Sequence, residues 1–120
     1  MTRNETTNER PTDYSRWHRT LPDYCMAQDV DWVEYRSINE ELIPVAIIET
    51  GRKDRTRFKD AQIIISKQIA KALDVPIFFV EYYIDEKDYK NNRFIVKKLD
   101  DTNKIVMLNN HEYSEFIKGL

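Results

Sequence analysis

Apolar positions along the chain follow two periods, and where one gives way to the other marks the elements. Beyond Met1, residues 1–12 have neither a period nor a large apolar side chain, so a flexible tail is expected there. Asp13 or Ser15 then caps a short helix carrying Tyr14, Trp17 and Leu21, closed by Pro22. AQDVDWVEYR, residues 27–36, alternates: Asp29, Asp31, Val33 and Tyr35 share one face, and Val30, Trp32, Glu34 and Arg36 the other, as in a strand. SINEELI reads as a turn. VAIIE, apolar at every position from Val45 to Ile48, reads as a strand covered on both faces.

Gly51 is expected to break that strand, and Asp54 or Thr56 to start a helix running to about Leu73. Phe58, Ala61, Ile65, Ile69 and Ala72 recur at three- and four-residue spacings on one side of it, leaving Lys59, Lys67 and Lys71 to point elsewhere. After DVP, IFFVEYYI is a second continuous apolar strand. A buried strand, a helix and another buried strand form a crossover unit, which predicts VAIIE and IFFVEYY parallel and near neighbours, joined in the right-handed sense. RFIVKKL and KIVML read as a hairpin pair joined by DDTN. NNHEYSEFIKGL closes the chain as a helix capped by Asn110, with Tyr113, Phe116 and Ile117 inward. The pattern therefore predicts an α/β fold of order α-β-β-α-β-β-β-α: a mixed sheet with flanking helices, in a single domain over residues 13–120.

Composition narrows this reading only slightly. A chain of 120 residues suits one domain, and 41% hydrophobic residues, with seven Tyr, suffice for a core. Cys25 has no second cysteine to bridge and no CxxC or Cys/His companions, so it reads as a small buried hydrophobe in a reducing compartment and argues against a structural zinc site. No apolar run reaches the ~20 residues of a membrane span or resembles an export signal, so a cytoplasmic protein with no membrane partner is expected. Net charge is −2, which gives no global attraction to nucleic acid. The cations are nonetheless clustered: Arg52, Lys53, Arg55, Arg57 and Lys59 crowd GRKDRTRFK, a strip suited to phosphate.

The carboxylates among the apolar strand residues carry the chemical signal, because an unpartnered carboxylate is costly in a low-dielectric setting. Asp31 and Glu49 on neighbouring strands, with basic residues immediately downstream, suit a magnesium-dependent phosphodiesterase. Hard divalent ions take oxygen ligands and acidify water, and nearby cations offset charge in the transition state. The carbonyl of Thr50 is a natural third oxygen.

The order of a WHR helix, DVDWVEYR, PVAIIE with its following helix, and PIFFVEYY resembles the PD-(D/E)xK nuclease superfamily, in particular its small single-domain phage and prokaryotic members, over residues 14–98. The resemblance implies a restriction-endonuclease-like sheet, Mg²⁺ or Mn²⁺ held by Asp31 and Glu49, and hydrolysis of DNA. Asp31 takes the Asp position in preference to Asp29, being nearer the Glu partner and followed by an aromatic residue. Two residues after Glu49 the family pattern has Lys, whereas this chain has Gly51. Some family members supply the cation from the following helix, and the resemblance would then give the role first to Lys53 and next to Lys67 or Lys71. Gln68 resembles the helix glutamine of some branches. His18, beside Trp17 and Arg19, reads either as a residue at the site entrance or as a surface or locally bonded histidine.

Two functions follow from this reading. The first is a metal-dependent DNA endonuclease, expected as a homodimer because a chain this small needs one site for each strand of a duplex. The second is a catalytically inactive nuclease-fold protein that binds nucleic acid or a partner protein, for example a phage-borne inhibitor, as the E-T-G sequence would allow.

Overall fold

Five of the expected runs become strands, and they pair in the order in which they occur along the chain. A computed structural model describes residues 12–52, 60–100 and 104–120. Its elements are α1 (Asp13–His18), β1 (Trp32–Ile38), β2 (Glu41–Arg52), α2 (Asp60–Leu73), β3 (Ile77–Tyr83), a 3₁₀ turn at Tyr89–Asn91, β4 (Arg93–Lys98), β5 (Ile105–Asn109) and α3 (Asn110–Lys118). The sheet runs β1-β2-β3-β4-β5; β2 and β3 are parallel and the other neighbours antiparallel. This is a mixed α/β protein with the element order predicted from the sequence. Among the described residues no helix is long and apolar enough to cross a membrane.

Alternation along β2 sends its side chains to two separate cores. Ala46 and Ile48 join Phe78, Val80 and Val96 beneath Tyr113, Phe116 and Ile117 of α3. Ile47 points the other way, onto Ile77 and Ala70 of α2. Helices thus cover both faces of the parallel pair, which is why VAII and IFFV are apolar without interruption. The α3 core includes aromatic pairs, with Phe78 edge-on to Phe116 at 5.0 Å between centroids.

Several boundaries differ from the expectation. β1 begins at Trp32, so Asp29, Val30 and Asp31 lie on the extended chain leading into the strand. SINEELI is mostly strand: only Asn39 (φ 50°) and Glu40 (φ 66°) form the turn, both left-handed as a two-residue type I′ hairpin requires. Gly51 does not end β2, because the parallel ladder carries on through Gly51↔Glu81 and Arg52↔Tyr82 and serves the backbone whatever the side chain. The cap of α3 is Asn109 rather than Asn110; its side chain accepts the Glu112 N–H while the Glu112 carboxylate accepts the Asn109 N–H. At α1 the N-cap is Thr12, with no side-chain hydrogen bond, and the helix stops ahead of Pro22. The expected helix start at Asp54 or Thr56, Phe58, residues 1–11 of the expected tail and most of the DDTN turn lie outside the described residues.

The face that α2 turns to the sheet is also rotated from the expected one. Ser66 and Ala70 are buried and Gln62, Ile63 and Ile69 half-buried, whereas Ala61 and Ala72 are exposed, as are Ile64 (54%) and Ile65 (40%). Two polar side chains thus face the sheet where apolar ones were expected. The reason lies beneath them on β2.

Candidate carboxylate site at the end of the sheet

Glu49 follows Ile47 by two residues, so it points to the same face, under α2. Gln62, Ser66 and Ala70 are spaced by four and form one stripe along the helix. Ala70 packs on the apolar part of the strand, while Ser66 and Gln62 reach its acidic end. Ser66 donates its Oγ–H to Glu49 Oε1 at 2.7 Å, and Gln62 donates from Nε2 to Oε2 at 3.1 Å. The Asp31 backbone N–H donates to the same Oε2 at 3.4 Å. Glu49 and Ser66 are both 0% exposed.

Burial pushes the Glu49 carboxyl above its ordinary 4.5. The Ser66 and Gln62 hydrogen bonds pull it back down, and the Asp31 charge pushes it up again. Among the described residues, every donor to Glu49 is electrically neutral. A buried carboxylate served only by neutral donors, next to a second acidic group, is charge that a proton or a cation would relieve.

Asp31 is that second group. The register Trp32↔Ile48, extended by one residue, sets Asp31 beside Glu49 across the β1–β2 pair. Its Oδ2 accepts the Thr50 backbone N–H at 3.0 Å. The two acids therefore interlock: the Asp31 backbone serves the Glu49 side chain, and the backbone after Glu49 serves the Asp31 side chain. Thr50 Oγ1 in turn accepts the Trp32 indole N–H at 3.2 Å. Glu49 is hidden and Asp31 exposed, so the pair has a buried and an open side. On the open side a groove of about 720 Å³ is lined by Asp31, Gln62, Met26, Gln28, Ile64 and Ile65.

Asp31, Glu49 and Thr50 thus come together as expected, and Gln62 and Ser66 join them. Sequence reasoning does not single these two out, because Ser66 and Gln62 interrupt an isoleucine-rich helix whose inward face is taken from its apolar period. A polar pair spaced by four and followed by Ala70, opposite a buried strand carboxylate, was the available signal. Lys67 is exposed, as its place one residue on from the inward Ser66 requires, and Lys71 and Gln68 are exposed too. His18 lies by Asp29 and Tyr14 in a neighbouring recess, apart from the carboxylate pair. Arg52 is the exposed last residue of β2. Lys53, Arg55, Arg57 and Lys59 lie outside the described residues, and among the described residues no cluster of three or more His, Cys, Asp or Glu forms a metal-binding group.

Fold and site together define a small mixed α/β protein with an interlocked carboxylate pair at one end of its sheet. Comparison of the chain with models of protein families, with curated proteins and with solved structures finds no match.

Proposed function

We propose that the chain is a metal-dependent DNA endonuclease of restriction-endonuclease-like fold, a member of the PD-(D/E)xK type in which the motif lysine has been replaced. The observation that carries the reading is the pairing of buried Glu49 with exposed Asp31, served by neutral donors among the described residues. The donor set fits Mg²⁺ or Mn²⁺: two carboxylates and the Thr50 carbonyl are hard oxygens, and Mg²⁺ is commonly held by one or two carboxylates with water and substrate phosphate completing its shell. When bound, such an ion supplies charge neutralisation at the phosphodiester and a more acidic water.

The chain's own residues prepare that site. Ser66 and Gln62 fix both oxygens of Glu49, and the Thr50 N–H fixes Asp31, so little reorganisation is left for the reaction. The basic run from Arg52 through Lys59 connects β2, which carries Glu49, to α2, which carries Gln62 and Ser66, and this is where a phosphate backbone would be gripped. Lys53 is the first choice for the missing motif lysine, and the exposure of Lys67 puts it second. Cutting both strands of a duplex calls for a homodimer, and a single cysteine suits the cytoplasm.

A second reading has its own support. Gly51 stands where the motif has lysine, and both oxygens of Glu49 are already hydrogen-bonded, as suits a nuclease fold retained as a binder of nucleic acid or protein. Cleavage of plasmid, branched and single-stranded DNA with Mg²⁺ and with Mn²⁺ separates the two. Metal-dependent cutting lost in Asp31→Asn and Glu49→Gln supports the nuclease. No cutting of any substrate under either metal selects the binder.

A further inference from the structure

The opposite face of the same sheet end holds an aromatic cavity that the carboxylate chemistry does not use. Trp32 of β1, Tyr82 of β3, Phe94 of β4 and Tyr113 of α3 line a space of about 330 Å³, together with Glu34 and Thr50. That size lies at the small end of the range for ligand sites, roughly 300–1,000 Å³. Phe94 and Tyr113 stack face to face, with centroids 4.0 Å apart and planes 8° apart. Trp32 stays 41% exposed although its indole N–H is committed to Thr50 Oγ1. Flat rings are therefore held in place around a space that the protein's own core leaves open.

Among the described residues lining this cavity, Glu34 is the only carboxylate. Its Oε1 is met by Arg36 Nη1 at 3.3 Å, which offsets part of its charge and favours a neutral hydrogen-bond donor over a second cation. Burial and the Glu34 charge push the Tyr113 hydroxyl up to about 12, so it stays protonated at neutral pH. Aromatic faces beside a carboxylate acceptor favour a flat ligand with an N–H edge. Bases in a duplex have their faces stacked away, whereas an unpaired base offers its face for stacking and its edge for hydrogen bonds. Carboxylates accept in particular from the exocyclic amine of cytosine.

Thr50 ties this cavity to the carboxylate pair. Its backbone N–H holds Asp31, and its hydroxyl oxygen holds Trp32. We propose that the cavity receives one unpaired nucleobase bearing an exocyclic amino group, cytosine or adenine, and that the preferred nucleic acid is single-stranded beside the carboxylate site. This rests on the nuclease reading above for its substrate class, but not on catalysis.

The test is binding by the full chain in EDTA, where metal-dependent cutting is suppressed. Labelled single strands of cytosine, adenine or thymine, and a mixed-sequence duplex, are titrated while anisotropy is followed. The cytosine or adenine strand is expected to bind about tenfold more tightly than thymine, and more tightly than the duplex. Trp32→Ala and Tyr82→Ala are each expected to weaken binding about tenfold or more, while Trp32→Phe, which keeps a ring, retains most of it. Glu34→Leu should remove the preference over thymine. Far-UV spectra and melts of every variant identify any that fails to fold, and for those Trp32→Phe and Glu34→Leu carry the decision.

Equal binding of all strands, duplex preference, unaltered binding by the aromatic variants, or displacement by tetramethylammonium but not by sodium would each overturn the proposal; the last would assign the cavity to a cation. Duplex cutting without single-strand preference would leave the nuclease standing and remove this inference. Base-selective binding without any cutting would do the reverse.

Discussion

Replacing Ser66 with Ala tests how the molecule carries a buried acid. The hydroxyl and the Glu49 carboxyl are both inaccessible to water and lie 2.7 Å apart, so nothing replaces the lost donor. A hydrogen bond to an ionised group contributes about 1.5–3 kcal/mol and one to a neutral group about 0.5–1.5 kcal/mol. Ala is the better helix former, which returns up to ~0.5 kcal/mol on α2. The net cost near neutral pH is therefore about 1–2.5 kcal/mol, or roughly 4–10 °C in Tm for a domain of this size. The cost also depends on pH. The Glu49 carboxyl is raised above 4.5, chiefly by burial, so its contribution favours the native state below 4.5 and is lost as pH rises through the raised value. Loss of Ser66 raises that carboxyl further, so the variant must fall further behind wild type as pH rises from the acidic side. Urea unfolding of both proteins across a pH series measures the gap. A gap constant with pH, or one that narrows as pH rises, would refute the assignment of Ser66 as the donor that stabilises ionised Glu49.

Three further outcomes are expected. Asn109→Ala removes the capping box of α3 and should cost about 1 kcal/mol in chemical unfolding, with no effect on any metal response. Glu40 sits at φ 66°, where an L side chain is strained by roughly 1 kcal/mol, so Glu40→Gly should stabilise the β1–β2 hairpin by about that amount in the same assay. Lys67→Ala should leave nuclease activity within about twofold of wild type, because its exposed place on α2 is a full residue step from the inward Ser66 stripe; a hundredfold loss would return the motif-lysine role to this helix.

The sequence carried the element order and the parallel pairing of β2 with β3 plainly, because VAII and IFFV are apolar without interruption and an amphipathic segment lies between them. It was less informative where tertiary contacts override local pattern. Gly51 reads as a strand breaker, yet its backbone is held by a ladder on β3 that no local pattern reports. AQDVD alternates like a strand but precedes the first paired residue, Trp32. The two-residue turn at Asn39 and Glu40 lacks the glycine that usually marks a type I′ hairpin. The stripe on α2 was misplaced because apolar period was read alone, while the side chains opposite Glu49 are chosen for hydrogen bonding. Asp31 and Glu49 were legible as a pair because each acid stands out against its apolar surroundings; their supporting residues are ordinary Ser and Gln, visible only once β2 lies beneath α2.

Thermal or urea unfolding of metal-free wild type, Asp31→Asn and Glu49→Gln, with and without Mn²⁺, reads directly whether the carboxylate pair holds an ion. If the carboxylate pair holds the ion, wild type gains about 2.7 kcal/mol at a hundredfold excess of Mn²⁺ over Kd, and both variants lose most of that gain. A response that is absent, or the same in all three proteins, would contradict the assignment of Asp31 and Glu49 as a metal site.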